Sequence, residues 1–368
     1  MPSNPEIVVT NKHNSAFVQL PTHRRIALLT SGYSTPFLAK TAISLLRYRT
    51  SDMVGVLEEQ ATVKTTGELL GAGGNLPVFP NLSDIDDIDS LYIGIAPPGG
   101  KIPQEWRSVI CNALGRGIDI VSGLHEFLSE DPEYVALAQA NDCQLYDVRR
   151  NRFKNTATCR NFPKECTRIH SVGHDCSIGK MVSTLEVQRG LSAKGYRAKF
   201  LATGQTGIMV SGEGVPIDCV VADFVNGAAE DLVARHEDQE FVLIEGQGSI
   251  AHPAFSAVTA GLLHGCAPDG LIFCYEAGRN AVKGFDGIPI VPMDQQLRAF
   301  EVMANLRHKC KFIGVAINTR TLTAEAAAAE VERAEREFGL PACDVYRDGA
   351  DKLVTAAEQL RASIMSAG

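Results

Sequence analysis

Short apolar runs, each followed by a stretch of helical periodicity, recur along the chain, and few architectures accommodate that alternation. A strand buried on both faces reads as a continuous hydrophobic run, and a helix between successive strands makes them parallel. The first series comprises RRIALLTSG (24–32), MVGVL (53–57), LYIGIAPPGG (91–100) and IDIVSG (118–123), with amphipathic segments near 36–48 and 103–116. NRFKNTATCRNFPKEC (151–166) is polar, carries a proline and has no period, so it marks a linker. A second series then begins: TRIHSVG (167–173), RAKFLATG (197–204), IDCVVADF (217–224), EFVLIEG (240–246), GLIFCYE (270–276), KFIGVAIN (311–318) and a short ACDVY (342–346).

A chain of 368 residues with 45% hydrophobic side chains buries enough surface to fold without disulfides or metal. Its ten cysteines are scattered, with no C-x-x-C pair, and Cys219, Cys274 and Cys310 lie in or beside apolar runs where a thiol packs as a small core residue. A reducing, cytoplasmic setting is expected, because MPSNPEIVVTNKHN has no continuous apolar segment and no later run is long enough for a bilayer. The formal net charge of −8 argues against a nucleic-acid partner.

The strand 167–172 runs into GHDCSIGKMV, and residues 181–194 continue as an amphipathic helix, which is the strand-loop-helix setting of a phosphate-binding loop. The spacing between Gly173 and the Gly179-Lys180 pair is one residue longer than the common pattern. What binds phosphate is a row of backbone N–H groups opening onto a helix N-terminus with an ammonium alongside, and that survives the insertion. Gly173, His174, Asp175, Cys176, Ser177, Ile178, Gly179, Lys180, Met181 and Val182 are therefore the expected ligand-binding residues. Met181 stands where a hydroxyl usually holds Mg²⁺, and a thioether is a poor ligand for a hard cation. The loop thus suits a phosphate ligand that needs only donors and positive charge, unless Ser183 or Thr184 turns inward while Asp223 and Glu245 supply carboxylates to a metal. No metal site is expected. The expected fold class is α/β with two doubly wound, mostly parallel sheets: an arm over 1–22, a Rossmann-like domain over 23–150, the linker 151–166 and a P-loop NTPase-like domain over 167–368.

Ligands of such sheets gather beyond the carboxyl ends of the strands, so polar residues there are the other candidates. Gln205 and Thr206 in GQTG belong either to a second nest of N–H groups or to a plain glycine turn. Asp223 has three readings: metal ligand, orienter of a base, or helix cap. Glu245 ends an apolar strand, where a carboxylate has few reasons to exist unless it meets a ligand, a cation or a backbone donor, and Gln247 follows in the same loop. Arg279, directly after another strand, is either a carboxylate clamp or a surface ion pair. SGYSTPFLAK (31–40) lacks the three-glycine spacing of a dinucleotide fingerprint, and Trp106 and His125 are either packing or contact residues.

GHDCSIGK and EGQGS (245–249) resemble the lengthened loop and the acidic-glycine strand end of dethiobiotin synthetases. A more extensive resemblance runs through HSVGHDCSIGK, LATGQTGIMVSGEGV, VADFVNGAAEDLV, EGQGSIAHPAFSAVTAGLLHG and EAGR, together with APPGG and VSGLHEFLSEDPE in the first half. These segments are similar to the domain-of-unknown-function 1611 family, which includes bacterial D-glutamate N-acetyltransferases. The resemblance implies a Rossmann-like domain joined to a P-loop domain and acetyl transfer from acetyl-CoA to an acidic amino acid; the coenzyme is expected on the 173–183 loop, and the chain is expected to form a homo-oligomer. Under that implication Glu245 and His252 are alternative general bases, Asp223 is a third catalytic candidate, and Gln205, Thr206, Gln247 and Arg279 face the amino acid. Two other classes fit the same loop: a Mg-ATP-dependent ligase or kinase like dethiobiotin synthetase, and a nucleotide sensor without turnover.

Overall fold

The computed structural model describes residues 16–285 and 287–367. Of the arm expected over 1–22, residues 1–15 lie outside the described residues. The chain divides into two units, one formed by the residues up to Arg152 together with Gln205–Cys219, the other by Phe153–Gly204 and Val220 onward.

The first unit carries, in chain order, β1 (Val18–Gln19), β2 (Ile26–Leu29), α1 (Lys40–Tyr48), β3 (Met53–Leu57), α2 (Thr66–Leu70), β4 (Val78–Phe79), β5 (Ser90–Ile93), α3 (Arg107–Gly115), β6 (Asp119–Ser122), α4 (Pro132–Ala140) and β7 (Leu145–Asp147). Its main sheet is parallel throughout and runs β4-β3-β2-β5-β6-β7. That is the order of a Rossmann sheet, with the reversal between β2 and β5. Trp106 is buried in the core beside Ile110 and Leu114, and its indole N–H donates to the Ser31 carbonyl at 2.9 Å, so the only tryptophan is a packing residue.

The second unit begins with β8 (Thr167–Gly173), α5 (Lys180–Ala193) and β9 (Ala198–Leu201). The chain then contributes α6 (Gln205–Ser211) and β10 (Glu213–Gly214) to the first unit, where β10 pairs antiparallel with β1. It returns through α7 (Val225–Ala234), β11 (Phe241–Ile244), α8 (Ser256–Cys266), β12 (Gly270–Glu276), α9 (Met293–Asn305), β13 (Lys311–Asn318), α10 (Ala324–Phe338), β14 (Ala342–Cys343) and α11 (Asp351–Ser366). The sheet is again parallel, in the order β14-β13-β12-β8-β11-β9. Its strands are apolar without alternation because both faces are covered. Ile272 and Cys274 of β12 pack with Val187 and Leu191 of α5 and Leu353 and Leu360 of α11, while Leu271, Phe273 and Tyr275 pack with Phe300 of α9 and Ala334 of α10.

One expected strand is not there. Residues 217–224 form two 3₁₀ turns, Ile217–Cys219 and Ala222–Phe224, and Val221 is exposed, so this apolar stretch is broken rather than pleated. The linker has irregular backbone up to the turn before β8, and it is held: Glu230 of α7 accepts bonds from the Thr158 amide at 2.7 Å and the Arg160 amide at 2.8 Å. All ten cysteines are free, and Cys266, Cys274, Cys310 and Cys343 are buried, which pushes each thiol up to about 11 or 12. No helix among the described residues is long and apolar enough to cross a membrane.

Leu243 in β11 is fully buried against β8 and α5. Leu243→Ala is expected to cost about 2–5 kcal/mol, seen as a lower urea midpoint with an unchanged slope.

Candidate functional site

Strand β8 sits between β12 and β11, and its chain continuation and that of β12 flank the point where the strand order reverses. The loop 173–180 leaves β8 there. Gly173 is required because a Cβ would meet the Cys274 carbonyl at 2.5 Å and Ile178 at 2.4 Å. Ser177 at φ 54° and Gly179 at φ 110° then turn the backbone in the left-handed region and bring it onto the first turn of α5. That turn has no capping side chain and no acidic residue, so its amides and dipole are presented to an anion.

The Lys180 ammonium is buried and donates to the Asp175 carbonyl at 2.6 Å; burial lowers its pKa. Met181 follows it as the sequence predicts. The two hydroxyls that could have replaced a metal ligand are committed elsewhere: Ser183 Oγ donates to the Gly179 carbonyl at 3.1 Å, and Thr184 Oγ1 is 2.7 Å from the Lys180 carbonyl and 2.8 Å from Ser171 Oγ. Ser171 Oγ also accepts from the Gly246 amide at 3.0 Å, fastening the end of β11 to β8.

Asp175 is fully buried, and the loop is built around it. Its Oδ1 accepts from the Cys176 amide at 2.7 Å, and its Oδ2 from Arg279 Nη1 at 2.8 Å and the Lys283 amide at 2.9 Å. Burial opposes ionisation, but these bonds outweigh it and hold the carboxyl below the usual range. Arg279 also donates to the Cys176 carbonyl at 2.8 Å and pairs with Glu276, whose other oxygen lies 2.7 Å from Arg320. The Glu276 amide donates to His174 Nε2 at 3.1 Å. That bond places the His174 proton on Nδ1, and burial, assisted by Arg279, depresses the imidazole pKa to about 4.

Among the catalytic candidates, His252 is brought to the loop and Asp223 is not. His252 is buried, with Nε2 3.7 Å from Asp175 Oδ1 and the ring stacked on Phe255 at 4.7 Å. Its Nδ1 accepts from the Ala254 amide at 3.1 Å and the Phe255 amide at 3.3 Å, so the neutral ring carries its proton on Nε2. Burial lowers its pKa. Asp175, Cys176 and His252 offer ligand atoms within 4.8 Å of one another, the spacing of a cation site. The His252 tautomer opposes ligation, because a metal on Nε2 would require an Nδ1 proton facing two N–H donors.

Glu245 is buried at the end of β11, and its Oε2 accepts from the Thr203 amide at 2.8 Å and the Gly204 amide at 3.1 Å. Gln247 Nε2 lies 3.3 Å from Thr203 Oγ1 in the same corner. Asp223 is exposed on a 3₁₀ turn, and α7 begins beyond it with Phe224 at the N-cap position and no side-chain cap. Gln205 and Thr206 open α6 within the first unit: Gln205 Oε1 accepts from Arg149 at 2.8 Å and Thr206 Oγ1 is 2.9 Å from Thr41 Oγ1. Glu276 was missed in the sequence, although it ends an apolar strand as Glu245 does and carries the same signal.

A family model described as a domain of unknown function, DUF1611_C, P-loop domain, matches residues 155–354, and its companion DUF1611_N, Rossmann-like domain, matches residues 59–151. A Tritonibacter scottomollicae protein named D-glutamate N-acetyltransferase is 38% identical over 325 residues, covering 86% of this chain and 93% of the relative. A Pseudoalteromonas sp protein of the same name is 37% identical over 266 residues, covering 72% and 80%. The crystal structure of a DUF1611 family protein from Anabaena variabilis matches with a TM-score of 0.84 at 35% identity, covering 91% of this chain and 99% of that one.

His170 and His174 are both buried with pKa values near 4, against 6.5 for an ordinary histidine. Between those values the unfolded chain binds protons that the folded chain refuses, so stability is lost as pH falls from about 6.5 to about 4. Urea unfolding followed across that window is expected to show the decline, and His174→Gln to flatten it; an unchanged slope in the variant would remove His174 from the account.

Proposed function

The chain belongs to the DUF1611 family, and on that premise we propose that it transfers the acetyl group of acetyl-CoA to the amino group of an acidic amino acid. D-Glutamate is the acceptor suggested by the names of the two relatives. The observation that carries the donor assignment is the loop: a helix N-terminus without cap or acid, an ammonium at its first residue, and no hydroxyl available to a Mg²⁺ ion at 181, 183 or 184. Phosphoryl transfer needs that metal to neutralise charge between two phosphates, whereas a coenzyme pyrophosphate needs only donors. Lys180 exchanges the Asp175 carbonyl for a phosphate oxygen when the coenzyme binds. The Mg-ATP alternative loses support from these same side chains and from the exposure of Asp223.

In the transfer, the substrate ammonium gives up a proton to solvent, the free amine nitrogen bonds to the thioester carbon, and as the carbon–sulfur bond breaks the nitrogen loses its second proton, matched by the one that the released coenzyme thiolate takes up. His252 suits the part of donor rather than base, since its only proton sits on Nε2 and its Nδ1 lone pair is engaged by two amides. Glu245 Oε2 is likewise engaged by two main-chain amides.

Purified protein incubated with acetyl-CoA and a panel of D- and L-amino acids is expected to release thiol with acidic acceptors, undiminished by EDTA, while ATP with Mg²⁺ yields no amino-acid-dependent phosphate. Metal-dependent phosphate release would favour the ligase class instead, and silence in both the sensor. Lys180→Ala is expected to weaken acetyl-CoA binding roughly ten- to hundredfold, the equivalent of about 1.5–3 kcal/mol for a bond to a charged group, measured by calorimetry.

A further inference from the structure

Beyond the end of β12 lies a cavity of about 390 Å³, a size that suits a small metabolite. Two carboxylate–guanidinium pairs line it, each from a different element. Glu276 and Arg279 come from the end of β12 and the loop after it, and Glu330 and Arg333 from α10. Glu330 Oε1 accepts from the Tyr275 hydroxyl at 2.8 Å and Arg333 Nη2 at 2.7 Å, and its Oε2 from Arg333 Nε at 2.9 Å, so the α10 pair is held in one geometry. Between the charged groups, Ile290 to Met293 supply an apolar wall.

This lining is selective in a definite way. The lining carries both signs in equal number, paired with one another, so it suits a ligand that itself carries both signs better than a polyphosphate or a simple cation. A ligand with an ammonium, two carboxylates and a short methylene chain can exchange partners with these ion pairs, in which Arg333 also meets Glu337 and Glu276 also meets Arg320. The cavity also adjoins the phosphate loop through shared residues: His174 and Arg279 line it, and Arg279 holds both Asp175 and the Cys176 carbonyl.

We propose that this cavity is the seat of the acceptor, a dicarboxylic amino acid whose carboxylates lie against Arg279 and Arg333 and whose ammonium faces the carboxylates of Glu276 and Glu330. The assignment rests on the acetyl-transfer reading above, and it extends the substrate contacts to α10, where the sequence gives no motif. Arg333 is a specificity residue for the second carboxylate and is not part of the phosphate loop.

The test uses the full-length protein, with D-glutamate as probe, titrated by calorimetry with and without coenzyme A, and the thiol-release assay run in parallel. Arg333→Met removes one guanidinium, Arg333→Lys restores the charge, and Asn280→Trp obstructs the exposed rim without touching a charge. Arg333→Met is expected to weaken D-glutamate binding and raise its KM on the order of tenfold or more, with the KM for acetyl-CoA unchanged. Arg333→Lys is expected to recover part of that loss, and Asn280→Trp to abolish binding of the amino acid. Wild-type binding and KM in both Arg333→Met and Asn280→Trp would overturn the assignment while leaving acetyl transfer intact, and so would failure of the wild-type protein to bind D-glutamate at all. Binding that is lost in the variants, with no thiol released by the wild-type protein, would uphold the cavity and remove the acetyl-transfer reading.

Discussion

A carboxylate with no solvent exposure, Asp175, is the constraint on which the second unit's loop depends. Burying a charge costs several kcal/mol unless it is paired and hydrogen-bonded, and Asp175 meets that condition through its own loop and the segment after β12. Its own loop supplies the Cys176 amide, the segment after β12 supplies Arg279 and the Lys283 amide, and its carbonyl positions the Lys180 ammonium. Loss of Arg279 would leave the carboxylate buried with its one guanidinium partner gone, so a residue whose sequence position suggested a substrate clamp is also a structural tie between the two strand ends. Glu276 extends the same logic, since it pairs with Arg279 and Arg320 and orders His174 through its amide.

The sheet makes that tie possible. With β8 flanked by β12 and β11, the segments leaving three neighbouring strands emerge side by side, and each contributes one kind of group: amides and an ammonium from the first, a carboxylate–guanidinium pair from the second, and the Glu245 corner from the third. Small residues let them approach. A Cβ on Gly246 would lie 1.8 Å from the Ser171 carbonyl and 2.9 Å from Lys180 Cδ, so the glycine after Glu245 is needed for contact between strands β11 and β8 rather than for a turn. The Gly246 amide donates to Ser171 Oγ, which adds a hydrogen bond to that close contact.

The elements that were legible are those whose burial is decided locally. Continuous apolar runs such as GLIFCYE are strands because helices cover both faces, and that pattern needs no knowledge of partners. IDCVVADF carries a similar run, yet the first-unit segment Gln205–Cys219 ends inside it, and Asp218 is held 2.9 Å from Arg149. That pairing spans a long stretch of sequence, and no local periodicity encodes it. Gln205 and Thr206 are further products of the same excursion: their glycine-flanked motif suggested a ligand loop, but their side chains meet Arg149 and Thr41.

The site residues divide along the same line. A carboxylate closing an apolar strand is correctly flagged by its sequence as needing a donor, but the flag does not say which kind. Glu245 finds two backbone amides, whereas Glu276 finds two guanidiniums and lines a cavity able to take a small molecule. Histidine protonation is equally invisible in the sequence. His174 and His252 each give one ring nitrogen to main-chain N–H groups, a choice set by how the loops close, and each is thereby fixed as a neutral ring with a defined donor. Met181, in contrast, conveys its meaning without any structure, because no folding of the loop can give a thioether the affinity of a hydroxyl for Mg²⁺. What the fold adds is that Ser183 and Thr184 are already bonded within the helix and to Ser171, so the neighbours do not make good what Met181 lacks.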